Sequence, residues 1–449
     1  MRNILQHRGM RLIFAANLVS MIGSGMNSAG VTWFLLEKTH SEMALGTLLM
    51  LQTIPALLML PFTGVVIDRE DRRRLLMALD AVRGLVILAV AILAYRGLAT
   101  IWEIYLMAVL VAAGFWMFWP TITALIQELT PESHFVHSNS FLLAGVQGGW
   151  LVAGALVGFV YNHIHLSGVL FIDFASYVVS FACYLFVRKG RVTVAVADDG
   201  VVHESAVARF VHEIREGLGY IRRRPRVQFT GICWALFIGG MLTQGIITAP
   251  FSARILNAGA VGYGWLNAGW AIGACLSAVY TPALIRGTGH PTPERATPAR
   301  SGGPGIGHRR AVGISMALLG ISLISLPFLG AHVHGTAFGA IQLSLLAAVS
   351  VYCLMGCARG LGGVAITSSM MELVPKHFMG RVQNTFYFLG TSLQLVFSFT
   401  VGTIAHNRSL AEGFAIVGAI YLLACVAGSW PVKESAGALE TESTAEIGT

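Results

Sequence analysis

The side chains able to do chemistry in this sequence are few, and most lie inside long apolar runs. Arg359 stands thirteen residues before Glu372, which along a helix is roughly 20 Å from the end of its run. A charge at that depth of a bilayer costs at least about 2.5–3.5 kcal/mol unless it faces water or a partner. Arg359 is therefore the first candidate for substrate contact, with a structural ion pair or a helix-carbonyl contact as the alternative. Asp173 is the only acid well inside a run, about 10 Å below its end. A buried carboxyl can load and release a proton, so Asp173 is the candidate for proton coupling, and bracing of backbone is the alternative. Asp80 and Arg83 are spaced to pair at i, i+3.

Uncharged polar residues form a second set. Asn17, Ser20, Ser24 and Asn27 follow at spacings of 3, 4 and 3, a stripe on one helix face that either lines water or grips a neighbouring helix. Gln52, Gln147, Gln244, Asn267 and Gln394 are singletons in other runs. With Trp116, Trp119, Trp234 and Trp270 they suit an amphipathic cavity wall. Gly145, Gly149 and Ala153, and separately Gly154 and Gly158, recur at four-residue intervals and predict close helix contact.

The chemistry of an enzyme is not legible. The sequence has no His-Glu-x-x-His, no Gly-x-Ser-x-Gly and no Gly-x-x-x-x-Gly-Lys-Ser/Thr. All six cysteines fall in apolar segments, so no disulfide framework or zinc knuckle is expected. The pairs His163/His165 and His332/His334 fall in two different loops, and no metal site or cofactor is assigned to them.

The elements that must hold these residues follow from composition. Of 449 residues, 55% are hydrophobic and 12% charged, about half the charge of a soluble domain. Apolar stretches run over 12–36, 43–67, 75–95, 101–126, 138–162 and 166–187, then 227–251, 258–285, 310–330, 338–371, 383–405 and 410–431. The expected fold is all-α and membrane-integral, twelve transmembrane helices in two homologous six-helix bundles. Pro55, Pro61 and Pro120 are candidate kinks. Putting both termini in the cytoplasm gathers 24 of the 30 Lys and Arg on that side, which accounts for the net charge of +8 without nucleic acid. Gln-Glu-Leu-Thr-Pro at 127–131 and Met-Glu-Leu-Val-Pro at 371–375 each close the fourth span of a half, an internal repeat typical of transporter architecture. The domains expected are an N-terminal bundle (1–187), a central loop (188–226) and a C-terminal bundle (227–432) interrupted by a linker at 286–310. A disordered acidic tail (433–449) follows. Phe210, Ile214, Leu218 and Ile221 predict an amphipathic surface helix in the central loop.

After span 2 comes Gly64-Val-Val-Ile-Asp68-Arg69-Glu70-Asp71-Arg72-Arg73-Arg74. This resembles the signature loop of the major facilitator superfamily, with Gly64, Asp68, Arg69, Arg72 and Arg73 matching and Asp71 in place of the loop's second Gly. That departure is similar to the branch of macrolide exporters and the enterobactin exporter. So are the Glu-Leu-x-Pro ends of spans 4 and 10, Gly380-Arg381-Val382 before span 11, Asp173-Phe-Ala-Ser-Tyr in span 6 and Gly217-Leu-Gly-Tyr-Ile-Arg222 in the central loop. Asp68 can face a helix N-terminus, and one of the arginines can pair with Glu128 at the end of span 4. The resemblance implies that Gly64, Asp68, Arg69, Arg72, Arg73 and Glu128 latch the cytoplasmic side against span 11.

Together these features predict no enzyme but a secondary transporter of the plasma membrane, an antiporter driving efflux of an amphipathic drug, siderophore or metabolite with protons as the coupling ion. It is expected to act as a monomer without cofactor. The alternatives are uptake or facilitated movement of an anionic solute at Arg359 and, more remotely, a membrane receptor or assembly factor that transports nothing.

Overall fold

The structure is a computed structural model that describes residues 8–129, 135–187, 206–284, 307–332, 336–337, 341–374 and 376–429. The linker at 286–306 and the tail at 433–449 lie outside the described residues.

The apolar runs fold as helices because a bilayer leaves no solvent partner for backbone N–H and C=O groups. In chain order they are α1 (Arg8–Thr39), α2 (Glu42–Arg69), α3 (Arg72–Tyr95), α4 (Ile101–Leu129) and α5 (Phe135–Leu185). The central-loop helix α6 (Ala206–Arg222) precedes α7 (Pro225–Thr243) and α8 (Gly245–Pro250). Then come α9 (Gly259–Leu284), α10 (His308–His332), α11 (Leu343–Leu373), α12 (Lys376–Asn407) and α13 (Leu410–Ser429). Ten of the described segments are long and apolar enough to cross a membrane. One of them, α5, is two spans joined at His165, where φ 53° and ψ −167° break the helix, and α9, which carries no charged residue, completes twelve. The seventh span runs through α7, α8 and a π-helical turn at Phe251–Ile255. Pro250, which has no N–H to give, directly precedes that widened turn. Pro55, Pro61 and Pro120 sit inside continuous helices. A two-residue antiparallel pairing, Thr336–Ala337 with Ile341–Gln342, precedes α11.

The repeat survives in the architecture: α4 ends at Leu129 and α11 at Leu373, the same offset as the sequence motifs. Long apolar side chains such as Leu58, Leu85, Trp102, Phe328 and Val396 remain exposed, as expected of surface that meets lipid. The central-loop helix forms as expected, with one edge buried against the bundle. Leu218 is exposed, while Gly217 and Ile221 are buried. Gly217 is the reason: α6 lies so close to α12 that a Cβ there would come within 2.9 Å of the Arg381 carbonyl oxygen. The ion pair Glu216–Arg381, 2.7 Å, holds the same contact.

The start of α1 at Arg8, the end of α13 at Ser429, α6 and the α2–α3 turn share one end of the bundle, the terminal end. The α1–α2 turn, the turn before α9 and the α12–α13 turn mark the opposite, far end.

Candidate functional site

A cavity of about 310 Å³ lies between the two bundles. α1 contributes Ser24, Asn27 and Ser28, α2 contributes Gln52 and Thr53, and α4 contributes Phe115 and Trp116. Trp150 and Tyr177 come from the two arms of α5, Leu242 from α7 and Gln394 from α12. The N-terminal bundle thus builds most of the wall. None of the described residues lining it is charged. Aromatic plates alternate with amides and hydroxyls, a surface that suits an apolar body bearing a few hydrogen-bonding groups. Thr53 donates to the Gln394 side chain across the two halves, and Gln394 Nε2 donates to Ser398 Oγ at 3.1 Å. Trp116 meets Tyr387 of α12 edge-on, with ring centroids 5.8 Å apart.

Asp173 stands directly behind this wall. It is fully buried and accepts a 2.6 Å hydrogen bond from Asn27 Nδ2, with Ser176 Oγ 3.3 Å from its other oxygen. α1 reaches it because residue 23 is glycine: a Cβ there would lie 2.6 Å from Asp173 Oδ1 and would overlap Ser176 Oγ. One turn along, Tyr177 shares a 3.0 Å hydrogen bond with Ser24. The guanidinium of Arg83 stacks on the other side of Tyr177, 4.6 Å from its centroid, and 4.8 Å from that of Phe118. The expected i, i+3 pair forms, Arg83 Nη2 to Asp80 Oδ1 at 2.6 Å, with Ser180 Oγ donating to the other Asp80 oxygen at 2.6 Å. Both charges are 1% exposed, an arrangement stable only because each is paired.

Five of the expected wall residues, Ser24, Asn27, Gln52, Trp116 and Gln394, line the cavity, whereas Asn17, Gln147, Gln244, Asn267 and Arg359 do not. Asn17 is buried where α1 meets Gly145 of α5. Gln244 is buried at the α7–α8 junction, and its carbonyl accepts from Thr248. Asn267 donates to Tyr263 of its own helix and packs on Gly154. Gln147 is half-buried on α5. Arg359 turns into the C-terminal bundle, its Nε 3.0 Å from Met241 Sδ and its guanidinium 5.9 Å from the Trp270 ring centroid. Depth along the helix was readable from the chain; the rotation of α11, which spacing does not specify, carries the side chain away from this wall.

At the terminal end, Arg72 pairs with Glu128 at 3.5 Å and donates to the Ala124 carbonyl at 3.2 Å. Arg73 donates to the carbonyls of Tyr184 and Leu185 at 2.7 and 2.6 Å, satisfying the last turn of α5. Asp71 is the N-cap of α3, accepting from the Arg74 N–H, which is what an acid in place of glycine achieves here. Gly64, Asp68 and Arg69 lie in the last turns of α2, and their side-chain surroundings fall outside the description. The contacts found for Arg72 and Arg73 stay inside the N-terminal bundle.

The far end holds a site that sequence reasoning missed. Glu42, 0% exposed, pairs with Arg254 of the π-helical turn and lies 3.4 Å from His406 Nδ1 of α12. Arg254 also donates to the His40 carbonyl at 2.8 Å. Glu42 opens its helix beside the Ser41 N-cap, so it reads as a loop acid, and its partners lie hundreds of residues away. One signal was available: Arg254 is among only four bases, with Lys38, Arg96 and Arg408, that the charge count leaves on that side. Close packing joins the halves in the same region. A Cβ at Gly158 of α5 would come within 2.5 Å of Val261 Cα of α9, and Gly46 of α2 faces Ser398 and Gly402 of α12. The other small-residue row, Gly145, Gly149 and Ala153, packs on α1 instead.

Similarity to known proteins agrees with this architecture. The nucleoside transporter NupG superposes with a TM-score of 0.66 at 14% identity, covering 94% of this chain and 99% of that one. A POT family transporter in complex with thioalcohol conjugated peptide gives 0.66 at 12% identity, covering 98% and 97%. Among curated relatives, the uncharacterized MFS-type transporter YkuC of Bacillus subtilis (strain 168) is 24% identical over 55% of this chain. Macrolide efflux protein A of Streptococcus pyogenes is 23% identical over 47% of it. The matches span 57% and 50% of those two relatives' lengths. With residues 13–398 matching the Major Facilitator Superfamily, on twelve spans, an internal repeat and a cavity between the halves, the chain belongs to that superfamily.

Proposed function

We propose that this transporter exports an amphipathic small molecule by alternating access, driven by protons, as a monomer in the bacterial cytoplasmic membrane with both termini on the cytoplasmic side. The observation that carries the reading is the cavity wall: aromatic rings and amides with no charged group among the described lining residues. An uncharged or delocalised amphiphile gains stacking and apolar burial there without stranding an ion. The similarity to macrolide efflux proteins supports the same substrate class. A wall of this kind offers an anionic solute no counter-charge, and Arg359, the residue that would supply one, turns toward Met241 and Trp270.

Coupling is assigned to Asp173. Its ionised carboxylate holds Asn27 by a 2.6 Å charge-assisted hydrogen bond, and Asn27 is part of the cavity wall. A proton on Asp173 weakens that bond and frees Asn27, so proton occupancy and the shape of the wall are linked through one contact. With the termini cytoplasmic, the packed far end faces outward, and substrate enters from the cytoplasmic side. The bridge of Glu42, Arg254 and His406 must part before release.

The reading is tested by dye and drug efflux in an expressing strain and its knockout. Expression should lower accumulation of aromatic amphiphiles, and Trp116→Ala should reduce that effect severalfold while protein level holds. Uphill transport driven by an imposed pH gradient should vanish in Asp173→Asn while downhill exchange survives. A wild type that ignores the gradient contradicts proton coupling; accumulation of small anions dependent on Arg359 contradicts the substrate class.

A further inference from the structure

Asn27 both lines the cavity between the halves and touches the buried carboxyl of Asp173. Its amide has two unlike sides, an NH2 group that only donates and a carbonyl that only accepts. The 2.6 Å contact from Nδ2 to Asp173 Oδ2 assigns them. An ionised carboxylate only accepts, so the nitrogen turns toward it and the carbonyl is left for the cavity. Asp173 itself is fully buried, with α1 closing over it at Gly23. Ser176 Oγ, 3.3 Å from Oδ1, already gives its hydrogen to the Asp173 backbone carbonyl at 2.7 Å. The charged and titratable groups around Asp173 are Asp80 and Arg83 of α3 and Tyr177 of its own helix, and the first two are paired with each other at 2.6 Å. α1 presents Gly23, Ser24 and Asn27 there, and α4 reaches Arg83 through Gly114 and Phe118, none of them ionisable.

A proton on Asp173 Oδ2 turns that oxygen from an acceptor into a donor, and a buried O–H left without an acceptor is costly. The group in shortest contact is the Asn27 amide, which supplies an acceptor by turning over and so brings its NH2 to the cavity. Resting on the assignment of coupling to Asp173, we propose that Asn27 determines specificity as a switch of hydrogen-bond polarity. While Asp173 is ionised, the Asn27 carbonyl receives an N–H or O–H of the substrate; once Asp173 is protonated, the NH2 side offers that group no acceptor. One proton enters as one donor group lets go. The substrates selected are aromatic amphiphiles bearing an N–H or O–H, and an analogue with acceptors alone is indifferent to the switch. Ser24, three residues earlier on α1, is a fixed contact by comparison. Tyr177 holds it from above Arg83, whose charge does not titrate.

Two rhodamine ethyl esters test this, one with secondary amines that each carry an N–H and one whose nitrogens are fully alkylated. Both are delocalised cations on the same scaffold. Binding of each to purified full-length protein in neutral detergent is read by fluorescence anisotropy, from mildly acidic to mildly alkaline pH. Loss of the Asp173 charge weakens both cations alike, so the informative quantity is the ratio of their dissociation constants. The N–H dye should be preferred roughly tenfold on the alkaline side, the worth of one hydrogen bond, and the preference should vanish on the acidic side. In Asn27→Leu the ratio should be flat across pH. It should also be flat in Asp173→Asn, which keeps an uncharged side chain of the same shape throughout. A flat ratio in the wild type, with both dyes bound, overturns the switch and leaves the aromatic-amphiphile reading standing. A pH-dependent ratio that survives in either variant overturns it as well. A wild type that binds neither dye at any pH overturns the switch and that reading together.

Discussion

The two ends of this molecule carry ion pairs of opposite design. At the terminal end, Arg72–Glu128 joins two helices of the same bundle, is partly exposed on both sides, and stands beside Arg73, which caps the end of α5. At the far end, Glu42 is fully buried and ties its own bundle to Arg254 and His406 of the other. Glycine-mediated helix contacts between the bundles reinforce it there. The cavity lies between these ends, with Trp116 and Tyr387 meeting across it. The contrast is one of reach: the described terminal-end contacts of Arg72 and Arg73 stay within one bundle, and the far-end cluster ties two bundles together.

Several substitutions probe the contrast, each read from the reactivity of a single cysteine at Ser28, on the cavity wall, in a variant lacking the native cysteines. Gly158→Val should have the largest effect. Its Cβ already meets α9 backbone, which cannot move as a side-chain tip can, so the closed far end loses about 3 kcal/mol and far-side labelling rises. Glu42→Gln removes the shared carboxylate and should cost the closed state about 2 kcal/mol, opening the far end roughly 30-fold more often. Arg72→Ala breaks a partly exposed pair worth at most about 1 kcal/mol and should leave far-side labelling unchanged. Asp68→Asn, at the end of α2, should shift the equilibrium by only about 0.3–1 kcal/mol, visible as slower transport with normal membrane insertion. Wild-type transport and labelling in Asp68→Asn would remove the latch expected of that loop.

Much of this design was legible in the chain because hydropathy and charge are local properties. The spans, the two halves, the amphipathic central-loop helix and the pair Asp80–Arg83 all follow from spacing within one segment. The polar stripe of α1 was also readable, and the structure divides it as a helix surface must: Ser24 and Asn27 reach the cavity, while Asn17 meets α5. What spacing does not encode is the rotation of one helix against another. That is why Arg359 was expected on a wall it turns away from, and why Trp150 and Tyr177 were missed as wall residues. Glu42 escaped for a different reason, since its partners stand 212 and 364 positions away and only the packed halves bring them together. Leu218 illustrates a third: a periodic apolar face predicts an amphipathic surface helix, but the close approach at Gly217 decides which edge of α6 meets α12.

Closure of the far end by Glu42, Arg254 and His406 can be measured directly. In proteoliposomes of known orientation, the Ser28→Cys protein is exposed to a membrane-impermeant thiol reagent from each side in turn. Labelling from the side of the termini, with the far side unreactive until Glu42 is replaced by Gln, is the expected result. Fast labelling of the otherwise wild-type protein from the far side, indifferent to Glu42, would contradict it.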